Sequence, residues 1–214
     1  MATALILLAP LASQANEVCG PLNEAGVQNC KAGLDAAQVL HMRASQEKSQ
    51  WCWAATIAIV FRHHGFAVAQ EEIVRWEFGD SSDRGVTAPA ITQMLQRSWQ
   101  DRQGRAFHAS ATAGDAPARR FMFENDTVIR ELVAQRPMIV GALGHAMVLV
   151  QVEYERFTQQ GAMRITGAIV IDPMPGRGIR RLTPVELSPT YVAAVHVAAQ
   201  EQVASASTGG AGAQ

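Results

Sequence analysis

Gln46-Glu47-Lys48-Ser49-Gln50-Trp51-Cys52-Trp53-Ala54-Ala55 runs from a polar loop into an apolar helix and sets a thiol at the point of entry. The residues that follow, 53–64 (Trp-Ala-Ala-Thr-Ile-Ala-Ile-Val-Phe-Arg-His-His), are apolar on most faces and stop at Gly65. Glycine readily takes the left-handed conformation that closes a helix, so a helix is expected over 53–64. Its unpaired N–H groups and macrodipole place partial positive charge at Cys52 and favour the ionised, nucleophilic sulfur. In such a setting a thiol pKa of about 8.5 falls to roughly 3.5–7.5, most strongly beside an imidazolium. The competing reading is a buried structural cysteine, because free cysteine is among the most buried residue types. It loses ground once the other parts of a site are found.

A thiolate needs a base, and six histidines are available: His41, His63, His64, His108, His145 and His196. His145 stands apart. Residues 137–153 form two apolar strands broken at Gly144-His145, which puts the histidine at the rim of the second. Ala168-Ile169-Val170-Ile171 runs into Asp172-Pro173-Met174-Pro175-Gly176, where two prolines and a glycine enforce a turn, so Asp172 also lies at a rim. A carboxylate there can hold one ring nitrogen of His145 and leave the other facing Cys52.

Gln46, Cys52-Trp53-Ala54, Gly144-His145-Ala146 and Ile171-Asp172-Pro173 together resemble the papain-like cysteine peptidases. The Trp-Cys-Trp-Ala-Ala form and the Asp-Pro turn are most similar to the compact bacterial branches, the effector-type papain-like proteases and the bacteriocin leader peptidases. The resemblance spans residues 38–198. It implies an α+β papain-like fold, in which an N-terminal helical lobe carrying the nucleophile helix packs on a C-terminal antiparallel β-sheet lobe. It further implies Cys52 as nucleophile, His145 as general base and acid, Asp172 as the orienting residue and Gln46, six residues before the nucleophile, as side-chain donor of the oxyanion hole. Gln50 is a second amide close by and an alternative donor. Ser49-Gln50-Trp51 stands where papain-like enzymes usually carry Cys-Gly-Ser, which sets this chain apart from papain itself. Trp53 is expected to pack at the base of the helix.

The chain's 214 residues suffice for one domain of about 150 residues with a real core, plus ends. Its 48% hydrophobic and 17% charged content is that of a globular protein, and a net charge of -1 argues against a nucleic-acid partner held by bulk electrostatics. Of the 18 basic residues only Lys31 and Lys48 are lysines, a bias attributed to genomic composition. The clusters Arg119-Arg120 and Arg177-Arg180-Arg181 are expected in solvated loops rather than facing an acidic substrate. No apolar run is long enough for a membrane span. His63-His64 with His108 or His196 does not make a metal site, since adjacent histidines leave a helix on different sides and no acid joins them at ligand spacing. No metal or cofactor is expected.

Ala4-Leu5-Ile6-Leu7-Leu8-Ala9-Pro10-Leu11-Ala12, followed by Ser13-Gln14-Ala15, has the apolar core and small-residue cleavage site of a signal peptide, although no Lys or Arg precedes it. Cleavage is expected after Ala15, with a secreted or periplasmic destination. Cys19 and Cys30 flank a glycine- and proline-bearing loop and leave Cys52 as the odd thiol. A Cys19–Cys30 disulfide would pin the N-terminal segment in an oxidising compartment; the alternative is two unpaired thiols.

The domain layout follows: signal peptide 1–15, an N-terminal segment 16–37 that is either an inhibitory propeptide or a structural arm, a peptidase domain 38–199, and a disordered tail 200–214. Helices are expected over 69–77, 87–99 with Thr87 as N-cap, and 125–135. A long surface loop is expected over 100–120, and strands over 138–143, 145–154, 162–172 and 190–198, with a short helix at 184–187. The implied activity is peptide-bond hydrolysis through an acyl-thioester on a polypeptide substrate by a monomer. The alternatives are an amidase or transpeptidase using the same site, a catalytically silent papain-like binding module, and a zinc-dependent or purely structural secreted protein.

Overall fold

Every residue from Trp53 to Phe61 is buried, on a helix that starts at Cys52. A helix apolar on all sides has to sit inside the molecule, and the sequence supplies the two layers that cover it. The computed structural model describes residues 16–115 and 125–200. The candidate signal peptide, Arg119-Arg120 and most of the expected C-terminal tail lie outside them. Among the described residues the chain order is β1 (Glu17–Cys19), β2 (Val27–Gly33), α1 (Ala36–Met42), α2 (Cys52–His63), α3 (Gln70–Phe78), α4 (Ala88–Met94), β3 (Arg97–Gln100), β4 (Ala106–Asp115), α5 (Asn125–Val133), β5 (Met138–Ala142), β6 (His145–Phe157), β7 (Ala162–Asp172), β8 (Gly178–Arg181) and β9 (Tyr191–Ala199).

The fold is α+β. All strand pairings are antiparallel, in the order β1-β2-β6-β5-β9-β4-β3, with β7 on the other side of β6 and β8 beyond it. α2 packs on β6 and β5, and α1 and α3 pack on α2. The C-terminal end of α2 closes as its glycine leads one to expect. Gly65 adopts φ 86° and its N–H reaches Arg62 O at 2.9 Å, while Phe66 N–H reaches Phe61 O at 2.9 Å, the two bonds of a Schellman motif. Buried Phe66 then stacks on Phe107 of β4, which ties the end of the helix to the sheet.

The N-terminal segment contributes an arm of two strands to the sheet. β2 pairs with β6 along Val27–Gly33, extending the sheet past the point where β5 leaves off. Cys19 stands opposite Cys30 in the β1–β2 register and the two form a disulfide.

Three local expectations are corrected. The helix over 87–99 is only Ala88–Met94, and Arg97–Gln100 forms β3. Thr87 occupies the N-cap position without a side-chain bond, and Pro89 lies in the first turn. The loop expected over 100–120 contains β4, in which Phe107, Ala109 and Ala111 face the core while His108, Ser110 and Thr112 face out. Its period of two is genuine, but most of its apolar members are alanines, which give little hydrophobic contrast. The helix expected at 184–187 is a turn, and β8 precedes it.

Candidate active site

Cys52 is the first residue of α2, at a terminus with no side-chain cap, so the sulfur stands among free backbone donors. The His145 ring and the N–H groups of Ala146 and Trp53 stand about it and favour its charged form. Partial burial pushes the thiol pKa up, but the His145 hydrogen bond and charge, with the two N–H groups, outweigh it and hold the pKa below its usual value.

His145 owes its position to a turn. Ala142 pairs with His145 across the two-residue loop Leu143-Gly144, whose φ angles are 52° and 75°. Two successive positive φ values are what a tight hairpin of the primed type requires. β6 then pairs with β7 and brings the C-terminal residue of β7, Asp172, to the ring: His145 Nε2 to Asp172 Oδ1 is 2.6 Å. With Nε2 on the carboxylate, the ring presents Nδ1 to the sulfur. Burial lowers the pKa of His145, yet the Asp172 and Cys52 contacts prevail and raise it to about 9. Burial raises that of Asp172, while His145, Arg180 and the Met174 N–H hold the carboxyl well below the usual carboxylate range. The directions favour the thiolate, imidazolium and carboxylate forms over their neutral counterparts.

Cys52 and His145 line a cleft of about 140 Å³ whose walls include Gln50, Trp53, Ile91 and Tyr191, and Asp172 is buried behind His145. Trp53 is buried, with its indole N–H donating to Arg84 O at 3.1 Å, and it also forms part of the cleft wall, which packing at the base of the helix did not foresee. Gln46 is not among the lining residues. Its Nε2 donates to Lys48 O at 3.0 Å and Ser49 O at 2.8 Å, and its Oε1 is buried without a partner. The amide that faces the cleft belongs to Gln50.

Sequence reasoning missed two supports. Asp83 accepts the Gln50 N–H and the Ser49 hydroxyl, each at 2.7 Å, and Ser82 O accepts the Trp51 indole N–H at 2.9 Å; the segment after α3 thereby clasps the loop before Cys52. Arg180 is no solvated loop residue. It lies on β8 with its Nε 2.7 Å from Asp172 Oδ2. Arg181 pairs with Glu153, and Arg177 Nη1 stands 3.6 Å from Asp172 Oδ2. The spacing of Arg180 from Asp172, across one tight turn, was the available signal.

No family model matches the chain, and no curated protein matches it. Among solved structures it is similar to a double glycine motif protease from an AMS/PCAT transporter, crystallised with the leader peptide. Identity there is 17%, over 72% of this chain and 89% of that one, with a TM-score of 0.43. It is also similar to the peptidase domain of Streptococcus ComA, a bi-functional ABC transporter involved in quorum sensing. Identity there is 20%, over 73% of this chain and 97% of that one, with a TM-score of 0.46.

Proposed function

We propose that this protein is a papain-like cysteine peptidase, with Cys52 as nucleophile, His145 as general base and acid, and Asp172 as the residue that orients the ring. The observation that carries the reading is His145, held by Asp172 Oδ1 at 2.6 Å from its Nε2, lining one cleft together with Cys52 at the start of α2. The thiolate attacks the scissile carbonyl and forms an acyl-thioester as the C–N bond breaks. His145 gives its proton to the departing amine, then takes one from the water that releases the acid. The oxyanion is held by the Cys52 backbone N–H and a side-chain amide, either Gln46, which has the family spacing, or Gln50, which lines the cleft. The substrate is a polypeptide, and no cofactor takes part. The protein is exported: a disulfide at Cys19–Cys30 suits an oxidising compartment and agrees with the apolar N-terminal segment.

Limiting iodoacetamide at pH 6, followed by intact mass, tests the centre directly. Rapid single labelling that vanishes in Cys52→Ser and slows greatly in His145→Ala is expected, together with cleavage of an unfolded protein substrate that both variants lose. Labelling no faster than a peptide thiol would overturn the reading in favour of a silent binding module.

A further inference from the structure

The Asp172 side chain is completely buried, and a carboxylate so placed needs compensation on both oxygens. Oδ1 accepts from His145 Nε2 at 2.6 Å and from Met174 N–H at 2.9 Å, while Oδ2 accepts from Arg180 Nε at 2.7 Å. The other edge of that guanidinium is forked on Glu186, Nη1 to Oε2 at 2.9 Å and Nη2 to Oε1 at 2.6 Å. Glu186 Oε2 also accepts the N–H and hydroxyl of Thr183, both at 2.8 Å. The side chains of Arg180 and Glu186 are only 18% and 9% exposed, so solvent screens them weakly. Charge alternates along this line, from the Cys52 sulfur through His145, Asp172 and Arg180 to Glu186.

From this geometry we propose that Arg180 and Glu186 are positioning residues for the Cys52–His145 pair, Arg180 fixing Asp172 so that Oδ1 faces the ring and Glu186 restraining Arg180. The inference rests on the reading of Cys52, His145 and Asp172 as the reactive centre. A guanidinium prefers to meet a carboxylate with two parallel N–H bonds. Glu186 occupies both Nη atoms and leaves Nε alone for Asp172, so His145 keeps its oxygen. Glu186 also offsets a positive charge that would otherwise oppose the imidazolium. The titratable and charged groups gathered about His145 are Cys52 from α2, Asp172 from β7, Arg177 from the following turn, Arg180 from β8, Glu186 and Tyr191.

The test is the pH dependence of Cys52 alkylation by iodoacetate, read by intact mass. The carboxylate of this reagent is drawn by an imidazolium and repelled by a bare thiolate, so its rate falls at high pH as His145 deprotonates. Glu186→Gln should move that upper limb down by about one pH unit, and Arg180→Gln should move it up by about half a unit while slowing the plateau several-fold. General loosening of the fold does not produce shifts of opposite sign. Near-UV circular dichroism establishes that each variant is folded; Glu186→Asp replaces Glu186→Gln if that one is not, and should move the limb down by less. Folded variants that keep the wild-type limb, or shift it in one common direction, overturn the inference. Wild-type alkylation indifferent to His145→Ala overturns the reactive-centre reading instead.

Discussion

At the scale of single residues, Gln46 is where the family spacing and the geometry pull apart. Its amide braces the loop through Lys48 O and Ser49 O, while Gln50 faces the cleft. Loss of one oxyanion donor costs about 3–4 kcal/mol of barrier, so Gln46→Ala should lower kcat some hundredfold or more if Gln46 is that donor. Alkylation by iodoacetamide forms no oxyanion and separates the roles: an unchanged alkylation rate in Gln46→Ala marks an oxyanion donor, and a slowed one marks a loop brace. Gln50→Ala, measured alongside, should carry the turnover loss in the second case. The His145 ring sets a pH expectation. Catalysis needs thiolate and imidazolium together, so kcat/KM should rise through the depressed Cys52 pKa and fall near 9 as the ring loses its proton. Asp172→Asn removes the anion that holds that proton and should bring the falling limb to lower pH. A pKa raised on folding also stabilises the fold. That contribution is complete below about 6.5, where the unfolded ring is protonated as well, and is lost as pH rises through about 9.

At the scale of elements, what the sequence made legible follows from contrast. α2 was readable because its apolar run is continuous and Gly65 ends it; β6 and β7 were readable because valine and isoleucine fill them. Those elements place Cys52, His145 and Asp172, so the geometry of the candidate site follows from the strongest local signals in the chain. β3 and β4 were hidden by alanine and serine, and β8 by its length of four residues, which left Arg180 without a strand to place it. β1 and β2 were hidden for another reason. Val27-Gln28-Asn29-Cys30-Lys31-Ala32-Gly33 has little apolar content, and its strand conformation comes from pairing with β6. The disulfide compensates for that weak propensity. Closing so short a loop contributes roughly 3 kcal/mol by restricting the unfolded chain. The double variant Cys19→Ser with Cys30→Ser should therefore melt several degrees lower while Cys52 alkylates at the wild-type rate, because no residue of this arm lines the cleft. A changed alkylation rate would mean that the arm supports the centre after all.

At the scale of the whole molecule, the arm connects the fold to the export reading. The Asn16 carbonyl accepts the Gly33 N–H at 3.1 Å, beside the β1–β2 pair. Glu17 next to it accepts from Tyr154 and from Arg156 Nη2, the latter at 2.6 Å, on the β6 strand that also begins with His145. Cleavage a few residues beyond Asn16 would cut into β1 and release Cys19 from the strand that sets it opposite Cys30. The mature exported protein should begin at or close to Asn16, as Edman sequencing or intact mass of material from the periplasm or medium would read directly, and its mass without reductant should be two hydrogen atoms below the all-thiol value. A start beyond Glu17 would mean that the arm is trimmed. Full-length protein retained in the cytoplasm with Cys19 and Cys30 reduced would sink the export proposal, while leaving the Cys52 chemistry to be judged on its own test.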